Sequence, residues 1–159
     1  MKLVGIIPAH LASVRFPRKI LYEFDGIPMI EHVRRRALQS NQLSSVKVAT
    51  CDTEIADVVK SFGGEVILTS NNHKNGTSRV AEAISKIDCT HVLLLQGDEP
   101  LLLPKHIDKI SKNIQKFPKI DSWNAIGKLD NENELDRHSF VKCVTTNKGK
   151  ILFCFRRSP

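Results

Sequence analysis

The sequence lacks the long apolar run that a membrane-spanning helix needs. Its longest wholly apolar stretches are only a few residues long, such as Val92–Leu95, whereas a membrane span needs roughly 20 residues. The apolar N-terminal segment meets Pro8 almost at once, which makes it too short for the core of a signal peptide. We therefore expect no membrane partner and interpret Leu3–Ile7 as a buried first strand.

Cysteines are few and scattered. Cys51, Cys89, Cys143 and Cys154 include no pair with the spacing of a metal finger. Such thiols are typical of a reducing cytoplasm rather than of a disulfide framework. The sequence therefore predicts a cytoplasmic protein.

Aromatic residues are also scarce, at 6% with one Trp and one Tyr. A binder of single-stranded nucleic acid would interleave stacking aromatics with its basic residues, and no such interleaving is present. The charge balance of 24 basic against 17 acidic residues gives a net charge of +7, which favours anionic partners. Charge alone leaves nucleic acid, acidic membranes and phosphorylated ligands open. We expect no nucleic-acid partner, because the basic residues cluster at a predicted ligand edge and on a solvated helix face.

Short apolar runs alternate with segments of helical periodicity. The runs predict strands at Leu3–Ile7, Val46–Thr50, Glu65–Leu68, Val92–Leu95, Ala125-Ile126, Val141–Val144 and Ile151–Phe155. The periodic segments predict helices opened by Pro28 and Pro104, one over Ile55–Phe62 that Gly63-Gly64 stops, and one that Thr77 caps. The alternation indicates a three-layer α/β domain with a mostly parallel sheet, spanning residues 1–159. The fourth strand, apolar throughout, is expected to be covered on both faces.

Ligands of such sheets bind beyond the carboxyl ends of the strands, and three polar segments follow the first, third and fourth strands. Pro8–Lys19 carries His10, Ser13, Arg15, Arg18 and Lys19 but lacks the GxxxxGK[ST] and GxGxxG fingerprints. Gln96–Pro100 offers the carboxylate of Asp98, and His73–Arg79 opens a helix. Separately, each segment is explained about as well by a solvated loop, a strand-end turn or a capped loop. Together at one sheet edge, they predict a nucleoside triphosphate held by basic loops, with Mg²⁺ on Asp98.

These segments, in this order, resemble the CMP-KDO synthetases (3-deoxy-manno-octulosonate cytidylyltransferases). Ile6–Leu21 is similar to the family's opening IIPARxxSxRxPGKPL, and Gln96–Pro100 keeps its QGDEP element intact. The other similar segments are Gly26–Ile30, Val48–Thr50, Phe62–Val66, Thr69-Ser70, Gly76–Glu82, Val141-Lys142 and Phe155–Pro159.

The resemblance implies a Rossmann-like nucleotidyltransferase fold and a reaction of lipopolysaccharide biosynthesis. In that reaction CTP and an acidic eight-carbon ulosonic sugar give the CMP-sugar and pyrophosphate. By motif match, Asp98 would bind Mg²⁺ and act with Lys19 in catalysis. Arg15 and Lys19 would contact the triphosphate, as would Ser13 through its backbone or hydroxyl group, with His10 beside them. Arg79 and Gln96 would lie near the cytosine or the sugar, and Lys142 and Arg157 are weaker candidates for the acidic sugar.

The sequence departs from the family pattern at three motif positions and in length. His10 replaces an Arg, Arg18 replaces a Gly, and Ser78 stands where an acidic residue is usual. Family members are longer. We therefore expect the C-terminal part of the family pattern to be missing. Much of the family's homodimer interface and a late metal-binding Asp would be missing with it. The alternatives are a CMP-sialic acid synthetase type of enzyme or a non-catalytic nucleotide-binding protein.

Overall fold

The computed structural model describes residues 1–13, 16–129 and 131–156. The strands in this part of the chain are β1 (Leu3–Ala9), β2 (Glu23–Phe24), β3 (Ile27–Pro28), β4 (Ser45–Thr50), β5 (Glu65–Leu68), β6 (His91–Leu94), β7 (Lys142–Thr145) and β8 (Ile151–Phe155). The helices are α1 (Met29–Leu38), α2 (Thr53–Ser61), α3 (Gly76–Ile84) and α4 (Pro104–Lys116), with 3₁₀ turns at Lys19–Leu21 and Glu132–Glu134. These elements form two compact units, residues 1–120 and 121–159. One domain over 1–159 stays a prediction.

The sheet of the first unit is parallel and has the order β5-β4-β1-β6. Side chains alternate between its two faces, as the pleat requires. On one face, Ile7 and Val48 join a core with α1, α2 and α4. On the other face, Val4 and Ile6 pack with residues of α3. The predicted three-layer α/β arrangement with a parallel sheet is therefore confirmed.

A buried ion pair anchors α1 to the end of α2. Glu31 is 1% exposed and accepts hydrogen bonds from Arg34 Nε at 2.6 Å and from Arg34 Nη2 at 2.9 Å. Arg35 Nε donates to the same carboxylate at 2.8 Å. Arg34 Nη2 also donates to the carbonyl oxygen of Phe62 at 2.9 Å. Two charged side chains inside the unit therefore satisfy each other and one helix-terminal carbonyl.

Most predicted element boundaries agree with the structure within one or two residues. Helix α2 ends at Ser61 with Phe62 as its C-cap, and Gly63 follows with a φ of +71°, a conformation that glycine adopts without steric cost. Helix α4 begins at Pro104 as predicted. Pro28 is the residue before α1 rather than its first residue. None of the helices in the described part of the chain has the length and apolar composition needed to cross a bilayer.

Three expectations about individual elements are wrong. Strand β6 is not covered on both faces, since His91 and Val92 are exposed. It lies at an edge of the sheet, with a strand neighbour only on its β1 side among the described residues. Asn75 rather than Thr77 caps α3, because its side chain accepts the Ser78 N–H at 2.9 Å. Ala125-Ile126 forms no strand, because two apolar residues without a strand partner in the described chain cannot make a ladder.

The second unit contains an antiparallel hairpin of β7 and β8. Lys142 lies opposite Phe155 in this ladder, and Cys143 lies opposite Cys154. Lys142 is 4% exposed. Its ammonium group donates to the carbonyl oxygens of Arg137, at 3.0 Å, and Arg156, and it lies 5.7 Å from the centroid of the Phe155 ring. These contacts hold the two strands together at the base of the hairpin.

Candidate active site

A cleft opens where the chain leaves β1 and β6 and enters α3. Its polar lining comes from His10 and Ser13 after β1, from Lys19 on the 3₁₀ turn, and from Arg79, Gln96 and Asp98. The lining is completed by Pro8, Ala9, Ile20, Gly76 and Gly97. The three segments that the sequence analysis singled out thus meet at the carboxyl edge of the parallel sheet.

Lys19 and Asp98 form an ion pair across the cleft although 79 residues separate them in the chain. The side chains are 31% and 40% exposed. Both are therefore accessible to a ligand, and water screens their attraction only in part. The cleft thus carries both a cationic group and a carboxylate, which suits a phosphate ligand that arrives with a cation.

Hydrogen bonds hold Leu11 and Arg18, which lie near the two ends of the loop before Lys19. The N–H of Leu11 donates to Asp52 Oδ2 at 2.9 Å, and the N–H of Arg18 donates to the carbonyl oxygen of Leu11 at 3.2 Å. Arg18 has a φ of +60°, in the left-handed region that glycine adopts most readily. This backbone geometry explains why a glycine is usual at this position in the family that the sequence resembles.

Gly97 allows the QGDEP segment to pack closely against the loop. A Cβ atom at Gly97 would lie 2.7 Å from Ile20 Cδ1 and 3.2 Å from Ile7 Cγ2. These two side chains fill the space beside Gly97. Ile20 is adjacent to Lys19, so the packing at Gly97 also positions the lysine.

Glu99 directly follows Asp98 in this segment. Burial raises the pKa of Glu99 above its ordinary value, and the Asp98 carboxylate raises it further. A second negative charge is therefore disfavoured beside Asp98. Among the described residues that line the cleft, Asp98 is the only one with a carboxylate.

Arg79 lines the cleft from α3 and is only 4% exposed. Its Nη1 atom donates to Thr69 Oγ1 at 2.6 Å and to the carbonyl oxygen of Ser70 at 3.2 Å. The guanidinium group therefore joins the start of α3 to the loop after β5. Because the guanidinium group is buried and hydrogen-bonded to fixed partners, Arg79 supplies a positive charge at a fixed position in the cleft.

A hydrogen-bond network that was not predicted from the sequence stabilises the same loop after β5. His73 Nε2 lies 2.6 Å from Glu82 Oε2, and His73 Nδ1 lies 3.2 Å from Ser78 Oγ. Hydrogen bonds from Lys86, then from His73 and from the N–H of Ser70, lower the pKa of Glu82 to about 2. The only sequence signal was the spacing of Glu82 and Lys86, four residues apart on one helix face.

Asp52, which anchors Leu11, was also missed. It lies two residues after the end of β4, whereas the three predicted polar segments follow only the first, third and fourth strands. A carboxylate close to the carboxyl end of a parallel strand was the signal that could have identified it.

The predicted site residues divide into three groups. The structure brings together His10, Ser13, Lys19, Arg79, Gln96 and Asp98. Lys142 lies in the second unit, where backbone carbonyls hold its ammonium group. Arg15 and Arg157 lie outside the described residues.

A second hollow, of about 370 Å³, is larger than the cleft, which measures about 170 Å³. Its lining includes Phe16, Tyr22 and the exposed ion pair of Arg18 with Glu54. This hollow does not bring together the ends of the sheet's strands. The smaller cleft is therefore the better candidate site.

The parallel three-layer fold and the cleft at its carboxyl edge are those of a nucleotide-binding α/β domain. Comparison with known proteins narrows this class. A family model described as "Cytidylyltransferase" matches residues 4–159. The chain belongs to the cytidylyltransferase family.

Curated relatives carry a more specific name. The chain is 39% identical over 159 residues to the 3-deoxy-manno-octulosonate cytidylyltransferase of Geobacter metallireducens, a match that covers 100% of this chain and 62% of the relative. It is 41% identical over 161 residues to the enzyme of the same name from Haemophilus influenzae, with 99% and 62% covered. The chain thus spans about 62% of the length of these relatives.

A solved structure agrees with the sequence relatives. It is described as CMP:2-keto-3-deoxy-manno-octonic acid synthetase complexed with CTP. The match has a TM-score of 0.88 at 33% identity and covers 99% of this chain and 65% of that one. The fold predicted from the family resemblance is confirmed.

Proposed function

We propose that this protein transfers CMP from CTP to an acidic ulosonic sugar of the KDO type and releases pyrophosphate. The observation that carries the proposal is the cleft in which Lys19, Arg79 and Asp98 converge at the carboxyl edge of the sheet. The names of the curated relatives and the CTP complex of the structural relative support the same reaction.

The triphosphate would lie against the loop that follows β1. His10 and Ser13 offer hydrogen-bonding groups there, and Lys19 offers a fixed positive charge. In the structure, the ammonium group of Lys19 pairs with the Asp98 carboxylate and neutralises its charge. A bound metal–triphosphate would exchange this ion pair for a contact between lysine and phosphate and one between carboxylate and cation. The exchange keeps both charges compensated.

The donor set fits Mg²⁺ that arrives with the nucleotide. Mg²⁺ is usually bound through one or two carboxylates together with substrate phosphates. Asp98 supplies one carboxylate, and the described residues include no group of three or more metal-ligating side chains. Asp98 would therefore hold the ion together with phosphate oxygens, and the ion would supply charge neutralisation.

In the transfer itself, the anomeric hydroxyl of the sugar attacks the α-phosphorus of CTP. A new oxygen–phosphorus bond forms while the bond to the pyrophosphate leaving group breaks. The residues of the cleft contribute positioning and charge stabilisation. Arg79 and Gln96, at the wall of the cleft, would contact the cytosine or the sugar, and Lys142 and Arg157 remain weaker candidates for the sugar carboxylate. We place the reaction in the cytoplasm, consistent with the four free cysteines.

Pyrophosphate release by the protein with CTP, Mg²⁺ and KDO tests the proposal. Asp98→Asn should lower the rate by about 10²–10³-fold, the usual effect of removing one electrostatic contact to a transition state. Asp88→Asn is the matched control, because Asp88 is an exposed carboxylate that pairs with Lys2 at the amino edge of the sheet. The control should retain the wild-type rate.

Three results would contradict the proposal. Equal rates for the Asp98 and Asp88 variants would exclude Asp98 from the reaction. Faster turnover with a sialic acid than with KDO would favour the CMP-sialic acid synthetase type. CTP-dependent thermal stabilisation without pyrophosphate release would favour a nucleotide-binding protein without turnover.

A further inference from the structure

The β7–β8 hairpin places two cysteines directly opposite each other. Cys143 is the register partner of Cys154 in the antiparallel ladder. Opposed residues in such a ladder have Cα atoms about 4.5–5.5 Å apart and side chains on the same face. Disulfides span Cα distances of about 4.4–6.8 Å. The backbone of the hairpin therefore already has the spacing that a disulfide needs.

The two thiols are also accessible to a small disulfide. Cys154 is exposed and Cys143 is partly buried. A hydrogen bond with the Cys154 thiol, together with burial, raises the pKa of Cys143. Cys51 and Cys89 lie in the other unit, and neither has a cysteine as a register partner among the described strands. The hairpin is thus the position where the described chain pairs its thiols.

We propose that Cys143 and Cys154 are a modification site that closes to an intramolecular disulfide by exchange with a small disulfide such as oxidised glutathione. The thiolate of exposed Cys154 attacks one glutathione sulfur, and a mixed disulfide forms as glutathione thiolate leaves. The thiolate of Cys143 then attacks the Cys154 sulfur and expels the second glutathione. The protein loses two protons and two electrons, and one oxidised glutathione becomes two reduced molecules.

Closure would fasten the two strands beside the contacts of Lys142. This residue precedes Cys143 and donates hydrogen bonds to the carbonyl oxygens of Arg137 and Arg156. The disulfide would therefore restrict the backbone that holds the ammonium group. An effect on sugar binding would rest on the proposed function, whereas formation of the disulfide does not.

The test exposes the full chain to reduced and oxidised glutathione at about pH 8, near the pKa of a free thiol. The sample is quenched with acid and alkylated, and its peptides are mapped by mass without reduction. We expect one peptide pair, joined through Cys143 and Cys154 and lighter by two hydrogens, while Cys51 and Cys89 become alkylated. The closing equilibrium constant should be at least about tenfold larger in the folded chain than in urea.

Single variants separate the two chemical steps. Cys143→Ser should stop at the mixed disulfide between Cys154 and glutathione. Cys51→Ser is the matched control and should leave closure unchanged. Equal closing constants in buffer and in urea, or random pairing among the four cysteines, would overturn the proposal. These readouts need no turnover, so their failure is distinct from failure of the proposed function.

Discussion

The buried carboxylate of Glu31 offers a quantitative test of how α1 is held. Glu31 accepts three hydrogen bonds from Arg34 and Arg35, and the Arg34 side chain is only 9% exposed. Glu31→Gln keeps the size of the side chain but removes its charge. The Arg34 guanidinium then stays buried with one neutral amide and the Phe62 carbonyl as partners.

The expected loss of stability is large. Breaking a buried ion pair by removing one partner costs about 3–5 kcal/mol, because the remaining charge is desolvated without compensation. A domain of ordinary stability has about 5–15 kcal/mol in total, so the variant should lose a substantial part of its free energy of unfolding. Arg35 adds little, because its side chain is 48% exposed and water replaces the lost partner.

Urea unfolding followed by far-UV circular dichroism measures this loss. The signal reports on α1 to α4, which all lie in the first unit, whereas the fluorescence of Trp123 reports on the second unit. Glu54→Gln is the control, because it removes a carboxylate from an exposed ion pair with Arg18. This control should unfold close to the wild-type midpoint.

Two outcomes would refute this reasoning. The first is a loss for Glu31→Gln no greater than that for Glu54→Gln. The second is an absence of coupling between Glu31 and Arg34. We expect Arg34→Met to lower the free energy of unfolding less in the Glu31→Gln background than in the wild-type protein, because the uncompensated charge is then removed. Equal costs in the two backgrounds would show that the two side chains act independently.

Other parts of the first unit give further tests. The pKa of Glu82 lies at about 2 against an ordinary 4.5, so its stabilising contribution is complete above pH 4.5 and is lost as the pH falls toward 2. Urea titrations should show a smaller acid-induced loss of stability for Glu82→Gln, and an unchanged loss would contradict the network. Asn75→Ala should cost about 1 kcal/mol through loss of the α3 cap, while Asn75→Asp should keep most of it; equal losses in thermal unfolding would argue against capping. Gly97→Ala should cost about 1–3 kcal/mol by overpacking against Ile20 and should weaken CTP binding in calorimetry. Gly127→Ala, in open space, is its control, and identical behaviour of the two variants would contradict the packing argument.

Local patterns were sufficient for most elements of the first unit. The spacing of apolar residues over Ile55–Phe62 and the glycine pair after it predicted α2 and its end, because helix periodicity and a left-handed glycine are properties of a few consecutive residues. The bounds of β5 also agree with the prediction, because a short apolar run is likewise a property of a few consecutive residues.

The errors arose where neighbours in space decide the outcome. The apolar composition of β6 predicted a strand covered on both faces, but His91 and Val92 are exposed, and the strand lies at an edge of the sheet among the described residues. Ala125-Ile126 had the composition of a strand without a partner strand beside it. At the start of α3, Thr77 was the predicted cap, but the backbone geometry places Asn75 at that position.

The sequence by itself determined the alternation of strands and helices, the three polar segments and their order, and through them the family. The tertiary structure alone decided that Lys19 contacts Asp98, that Asp52 anchors Leu11, and that Arg79 is buried. It also decided that Cys143 opposes Cys154. The physical reason is that periodicity and capping act over a few residues. Contacts between segments 11 to 79 residues apart depend instead on strand order and register, which the packing of the whole sheet or hairpin selects.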